Sequence, residues 1–180
     1  MTPEEKRFLA QYSASDFVRP SVAVDLVIFT VVDTDLKVLL IQRGEHPFKD
    51  AWALPGGFVD AGDGGSDQGE NIDAAAHREL AEETGLPIGA CFLEQLYTFG
   101  RAGRDPRTRV ISISWYALVR PELAVLVSAG DDAADARWFS VSEEVPWMRL
   151  AFDHTEILAT GVDRIRGKIN YTVIAFELVP

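Results

Sequence analysis

The chain reads as an α/β protein, and three observations carry that reading. Paired β-branched, apolar runs occur twice, at 22–43 and at 92–119, and each pair is followed by a stretch with helical spacing. One such stretch, 71–85, combines a capping residue, an apolar stripe and a terminal glycine. At 180 residues with 47% hydrophobic content, the chain is long enough for one sizeable core and short for two, so one domain is expected.

Taken in order, Thr2-Pro3-Glu4-Glu5 reads as a capped helix start, with proline at the first helical position and a Thr-to-Glu capping box. A short helix to about Tyr12 follows, and residues 1–20 form a helical extension ahead of a domain over 21–180. Val22 to Val32 and Leu36 to Arg43 read as paired strands around the turn-like Asp33-Thr34-Asp35. Asp25, inside the first strand, is read as a hydrogen-bonded or sheet-edge acid rather than a ligand. Arg43 stands at a strand end, where a guanidinium fork suits an oxyanion; the alternative is a surface salt bridge with Glu45. His46 precedes proline and is therefore extended, and Trp52 is expected to pack beneath the loop. Pro55-Gly56-Gly57 permits the close backbone approach that a metal and phosphate site needs.

The helix expected from near Asn71 has Asn71 as cap, Asp73 in its first turn and Gly85 as its stop. Its apolar stripe is Ile72, Ala75, Ala76 and Leu80. Glu79, Glu82 and Glu83 then share one edge at i, i+3 and i+4, a crowding that Arg78 relieves only in part by pairing with Glu82. Either the edge is a solvated acidic face, or it holds a hard cation such as magnesium or manganese through carboxylate oxygen.

Phe92 to Phe99 and Val110 to Val119 read as the second strand pair. The connection between them holds Arg101, Arg104, Arg107 and Arg109 within ten residues. Arg101 and Arg104 either reach a substrate's phosphates or ribose, or sit on a solvated hairpin tip. Tyr97 and Phe99 are candidates to stack on a base, with core packing expected for at least one. Asp131 and Asp132 lie in an acidic, turn-rich loop before a strand over Ala136 to Val141, and offer a general base, with Asp132 slightly favoured, or a solvated turn. Asp153-His154-Thr155-Glu156 opens a last helix with a capping-box pattern, His154 being read as a structural hydrogen bonder. A strand over Tyr171 to Leu178 closes the chain.

The formal charge of -11 argues against a surface built to bind nucleic acid, so an anionic substrate needs metal and locally placed arginines. A single cysteine, Cys91, excludes an intramolecular disulfide. With neither a signal-like start nor a membrane-length apolar run, a soluble cytoplasmic protein that makes no membrane contact is expected.

The spacing Glu70, seven residues, Arg78-Glu79-Leu80, one residue, Glu82-Glu83, one residue, Gly85-Leu86 resembles the Nudix box of the Nudix hydrolases. The resemblance implies an α/β/α sandwich with a mixed sheet between helices, and the alternation of strand pairs with helices is compatible with it. It also implies that Glu79, Glu82 and Glu83 bind a divalent metal, Mg2+ or alternatively Mn2+, with a backbone carbonyl near Gly56 as a further ligand. Arg78 would orient these acids, and Glu70 would act behind them or through water. One departure is present: the family's usual glycine corresponds to Gly64, yet the Trp52 to Val59 run ends earlier, so an insertion of about seven residues is placed between Asp60 and Gly69. The runs Gln42 to Phe48, Trp52 to Val59, Gly103 to Arg107 and Leu150 to His154 resemble the branch holding bacterial ADP-ribose pyrophosphatases and the Nudix domain of regulators of NAD metabolism. That branch implies a nucleoside diphosphate substrate, most specifically ADP-ribose, and a homodimer. Arg43, Gly57, Phe99, Arg101 and Arg104 are the substrate-binding candidates.

Overall fold

The computed structural model describes residues 1–13, 16–63, 68–86, 89, 91–125, 127 and 133–169. The strand expected over Tyr171–Leu178, the loop acids Asp131 and Asp132, and Gly64 lie outside the described residues.

Helix α1 (Pro3–Gln11) carries the expected capping box: Thr2 Oγ1 accepts from the Glu5 N–H, and Glu5 reaches back to the Thr2 N–H. None of its residues is buried, so it stands as an extension. The sheet is built from β1 (Ser21–Val32), β2 (Asp35–Arg43), β3 (Trp52–Ala53), β4 (Gly56–Phe58), β5 (Phe92–Phe99), β6 (Val110–Leu118) and β7 (Ala133–Ser140). Its main path runs β3-β2-β1-β6-β5, with β4 joined to β1 and β7 to β2. β1 and β6 are parallel and the other pairs antiparallel, so the sheet is mixed. β7 begins three residues before the expected Ala136, while β3 and β4 are too short to show periodicity in sequence.

Strand β1 is the spine. Its odd positions Val27 and Phe29 join Ile157, Leu158, Val162 and Ile165 of α4 (His154–Ile169), and its even positions Val24, Leu26 and Ile28 join Ala75, Ala76 and Leu80 of α2 (Ile72–Thr84). One strand thus feeds two apolar cores, each closed by a helix, giving the α/β/α layering. Burial on both faces explains the near-continuous apolar run that marked the strand in sequence. The first element after β6 is the single turn of α3 (Pro121–Ala124).

Some local expectations differ from the structure. Asn71 occupies the capping position of α2 with extended backbone but makes no side-chain cap, and Ile72 is exposed rather than part of the stripe. Gly85 ends the helix in the left-handed conformation, φ 69°, as its position suggested. Asp25 lies on an interior strand and is hydrogen-bonded there, to Arg104 and Ser112, which is the first of the two alternatives read for it.

The two partners of β1 place the site. Phe29–Val32 pairs with β2, whereas Ala23–Asp25 pairs with β4. The strand therefore forks, and the glycine pair of β4 enters the fork.

Candidate active site

Helix α2 carries the acids. Glu79 and Glu83 are buried, while Glu82 faces solvent. Arg78 does more than pair with Glu82: its Nη1 donates to Glu79 Oε1 and Glu82 Oε2, both at 2.8 Å, its Nη2 to Glu70 Oε1 at 2.6 Å and Phe58 O at 3.2 Å, and its Nε to Glu70 Oε2 at 3.1 Å. One guanidinium thus ties three carboxylates to the end of β4. These bonds hold Arg78 firmly charged, and the same contact keeps Glu70 below the usual carboxylate range. Burial pushes Glu79 upward, against the pull of Arg78.

Glu70 also closes the base of the insertion. Its Oε1 accepts from the Asp60 N–H at 2.9 Å, and its own N–H donates to Asp60 O at 3.0 Å. The Asp60 carboxylate accepts from Gly62 N–H at 2.8 Å. Asp60 and Glu70, at the two ends of the stretch read as an insertion, are thus bonded to each other just before the helix.

The glycine pair sits against these acids. Gly56 has φ 148°, and a Cβ there would lie 2.2 Å from Val24 O, so a side chain meets both backbone strain and a collision with the neighbouring strand. At Gly57 the added Cβ would lie 2.3 Å from Glu79 Oε1. The Glu79 carboxylate thus rests directly on the Gly57 backbone. Gly57→Ala is expected to displace that carboxylate while leaving the fold intact, lowering kcat with little change in Tm. Steady-state kinetics beside a thermal melt would check it.

On the other side of β4 a pocket opens, lined by Ala23, Asp25, Arg43, Phe58, Arg107 and Phe152 among others. Arg43 Nε donates to Pro47 O at 2.8 Å, and its guanidinium lies 4.9 Å from the Phe152 ring centre. It forms no ion pair among the described residues, so the surface bridge to Glu45 is not made. Burial and the neighbouring Arg107 hold its pKa below the ordinary arginine value. Arg107 stacks over Phe58 at 5.2 Å and Phe152 at 5.7 Å, and is bridged to Asp105 at 2.7 Å. Sequence reasoning passed over Arg107, although it lies in the Gly103–Arg107 run.

Other candidates fall elsewhere. Arg104 is 8% exposed, its guanidinium engaged by Asp153 at 2.7 and 2.9 Å and by Asp25 at 3.2 Å. It lines the pocket floor but is already matched by two carboxylates, so it is not a loop arginine free for phosphate. Asp153 gives its carboxylate to Arg104 and makes no side-chain cap for α4. Arg101 is largely exposed, 3.6 Å from Glu156, and Phe99 is buried in the core, leaving Tyr97 exposed. His154 Nδ1 accepts from the Leu54 N–H at 2.8 Å, in keeping with a structural hydrogen bonder.

The acid edge suits a hard divalent cation in its chemistry, with carboxylate oxygens beside a half-buried glycine backbone. In this arrangement, with Arg78 spanning Glu79 and Glu82, no three His, Cys, Asp or Glu side chains among the described residues converge on one point.

Acids on a helix, a glycine pair beneath them and a pocket beyond coincide with a family match: a profile for the NUDIX domain covers residues 21–160. This chain belongs to the Nudix family. The resemblance of the box is thereby borne out, as is the sandwich fold. The Nudix chain is 38% identical over 176 residues to the ADPR responsive transcriptional repressor NtrR of Acinetobacter baylyi, covering 98% of this chain and 66% of that protein. It is also 38% identical over 154 residues to the ADP-ribose pyrophosphatase of Methanocaldococcus jannaschii, covering 86% of this chain and 79% of that one. Among solved structures, the NUDIX domain of Shewanella oneidensis NrtR complexed with ADP ribose superposes with TM-score 0.72 at 34% identity, covering 92% of this chain and 99% of that one. A MutT/nudix family protein from Enterococcus faecalis gives 0.79 at 33% identity, covering 96% and 72%.

Proposed function

We propose that this Nudix chain is a metal-dependent pyrophosphohydrolase that splits ADP-ribose and water into AMP and ribose 5-phosphate. The observation that carries the reading is the complete acid set, Glu79, Glu82 and Glu83, with Glu79 packed on the Gly57 backbone. The identity to a pyrophosphatase over 86% of the chain supports it.

The Nudix family generally relies on a divalent metal, and here Glu79, Glu82 and Glu83, with a backbone carbonyl near Gly56, would hold it; Mg2+ is favoured, with Mn2+ as the alternative. Such an ion supplies charge neutralisation for the diphosphate and a more acidic water. The chain's own groups do the positioning. Arg78 anchors Glu79 and Glu82 to the end of β4, and the missing side chain at Gly57 lets the Glu79 carboxylate sit against the β4 backbone. Of the pocket arginines Arg43, Arg104 and Arg107, only Arg43 lacks a carboxylate partner among the described residues, so its guanidinium is the group best placed to receive anionic charge. Arg43→Ala is accordingly expected to raise KM by about tenfold or more with a smaller fall in kcat, since a charged hydrogen bond is worth roughly 1.5–3 kcal/mol. Initial rates across a range of substrate concentrations separate the two constants.

A second reading, an ADP-ribose sensor with little turnover, is favoured by the repressor relative, whose alignment covers 98% of this chain. The chain spans 66% of that repressor's length, so the partners of the whole protein, a homodimer and an absence of DNA contact included, remain part of the proposal. Among the described residues no helix is long and apolar enough to cross a membrane; a cytoplasmic setting belongs to the same reading. The experiment is a substrate panel of ADP-ribose, NAD, sugar nucleotides, dinucleoside polyphosphates and nucleoside triphosphates, with magnesium and with a chelator. Preferential, chelator-sensitive hydrolysis of ADP-ribose supports the reading. Preference for another nucleoside diphosphate derivative moves the substrate, and binding without products favours the sensor.

A further inference from the structure

Behind the pocket lies a buried polar network that the proposed reaction does not use. Asp25 of β1, Arg104 of the β5–β6 connection, and Asp153 and His154 at the start of α4 are each under a tenth exposed. Asp25 Oδ2 also receives the hydroxyl of Ser112 on β6. His154 faces two ways. Its Nδ1 accepts from the Leu54 N–H at 2.8 Å, which assigns the ring proton to Nε2, and Nε2 lies 3.5 Å from Asp25 Oδ1.

Leu54 opens the segment that holds the glycine pair. The next carbonyl, Pro55 O, accepts from the Leu26 N–H at 2.8 Å, and two residues later Gly57 meets the Glu79 carboxylate. The bond from Leu26 of β1 and the bond to the His154 ring thus extend the β1–β4 ladder back to Leu54 and help fix where the Glu79 seat lies. Leu54 is 2% exposed, so removing the His154 acceptor strands a buried N–H.

We propose that His154 is a positioning residue for catalysis: through its Nδ1 it holds the Leu54–Gly57 backbone at the place where Glu79 rests. The inference rests on the pyrophosphohydrolase reading for its kinetic consequence, but not for its structural one. Burial lowers the pKa of the ring below the ordinary histidine value, in keeping with a Nδ1 acceptor.

Two variants separate positioning from packing. His154→Phe keeps a ring and removes the acceptor, whereas His154→Asn gives up the ring but places an amide oxygen where Nδ1 stood. The Phe variant should lose on the order of 10–100-fold in kcat with KM nearly unchanged, since small misplacements of reacting groups cost that much. Its Leu54, Gly56 and Gly57 amides should exchange hydrogen faster than in wild type, and the Asn variant should recover most of both effects. Wild-type exchange and kcat in the Phe variant would overturn the proposal, as would an Asn variant as impaired as Phe, or a loss confined to KM. Should the wild type hydrolyse nothing on the panel, the functional reading fails while the exchange comparison still decides the role of His154.

Discussion

Glu79→Gln and Glu83→Gln are each expected to lower kcat by on the order of 10²–10³-fold, the range seen when one group that stabilises developing charge is removed. Both replacements conserve volume, and both positions are buried on α2, so the change is one of charge rather than shape. Glu79 is the more telling of the two. It is bonded to Arg78 at 2.8 Å and lies against Gly57, so its carboxylate is fixed in both directions. The fold should survive, because Arg78 keeps Glu70 and Glu82 and because removing one acid relieves like-charge crowding on the helix. Turnover at saturating substrate and magnesium, beside a thermal melt, checks both halves. Unchanged turnover in either variant would remove that residue from the mechanism.

Arg104→Met should act in the opposite way, costing about 3–5 kcal/mol of stability, the usual penalty for stranding a buried charge. The methionine replaces the packing of the side chain but leaves Asp25 and Asp153 facing each other without their cation. For a chain of this size the melting temperature should fall by about 10 °C or more. Adding Asp153→Asn should recover part of the loss, since the two sites share one network. A variant that melts normally but shows a raised KM would restore Arg104 to the substrate-binding role assigned from its position among the loop arginines.

That contrast marks where the sequence stopped being legible. The helix from Ile72 to Thr84 and the long strands could be read because their signals are local: a stripe of small apolar residues, a left-handed glycine, a run of β-branched residues. The acid edge and the glycine pair were legible for the same reason, each being a short, contiguous pattern. The use of the loop arginines was not. Arg104 finds its partners 49 and 79 positions away, and Arg107, a few residues on, pairs within its own turn and stacks in the pocket. Nothing in a run of four arginines distinguishes those fates. Tyr97 and Phe99 do share a face, with ring centres 5.3 Å apart, and nothing local to the strand says that the core covers Phe99 and leaves Tyr97 exposed. The wide reach of Arg78 depends on β4 bringing Phe58 O beside α2, a pairing that three residues of strand do not announce.

The most direct test of the central claim is phosphorus NMR of ADP-ribose incubated with the wild-type protein and magnesium. The account predicts that the diphosphate resonances give way to two phosphate monoester signals matching AMP and ribose 5-phosphate. An unchanged diphosphate spectrum from protein that demonstrably binds ADP-ribose would contradict it.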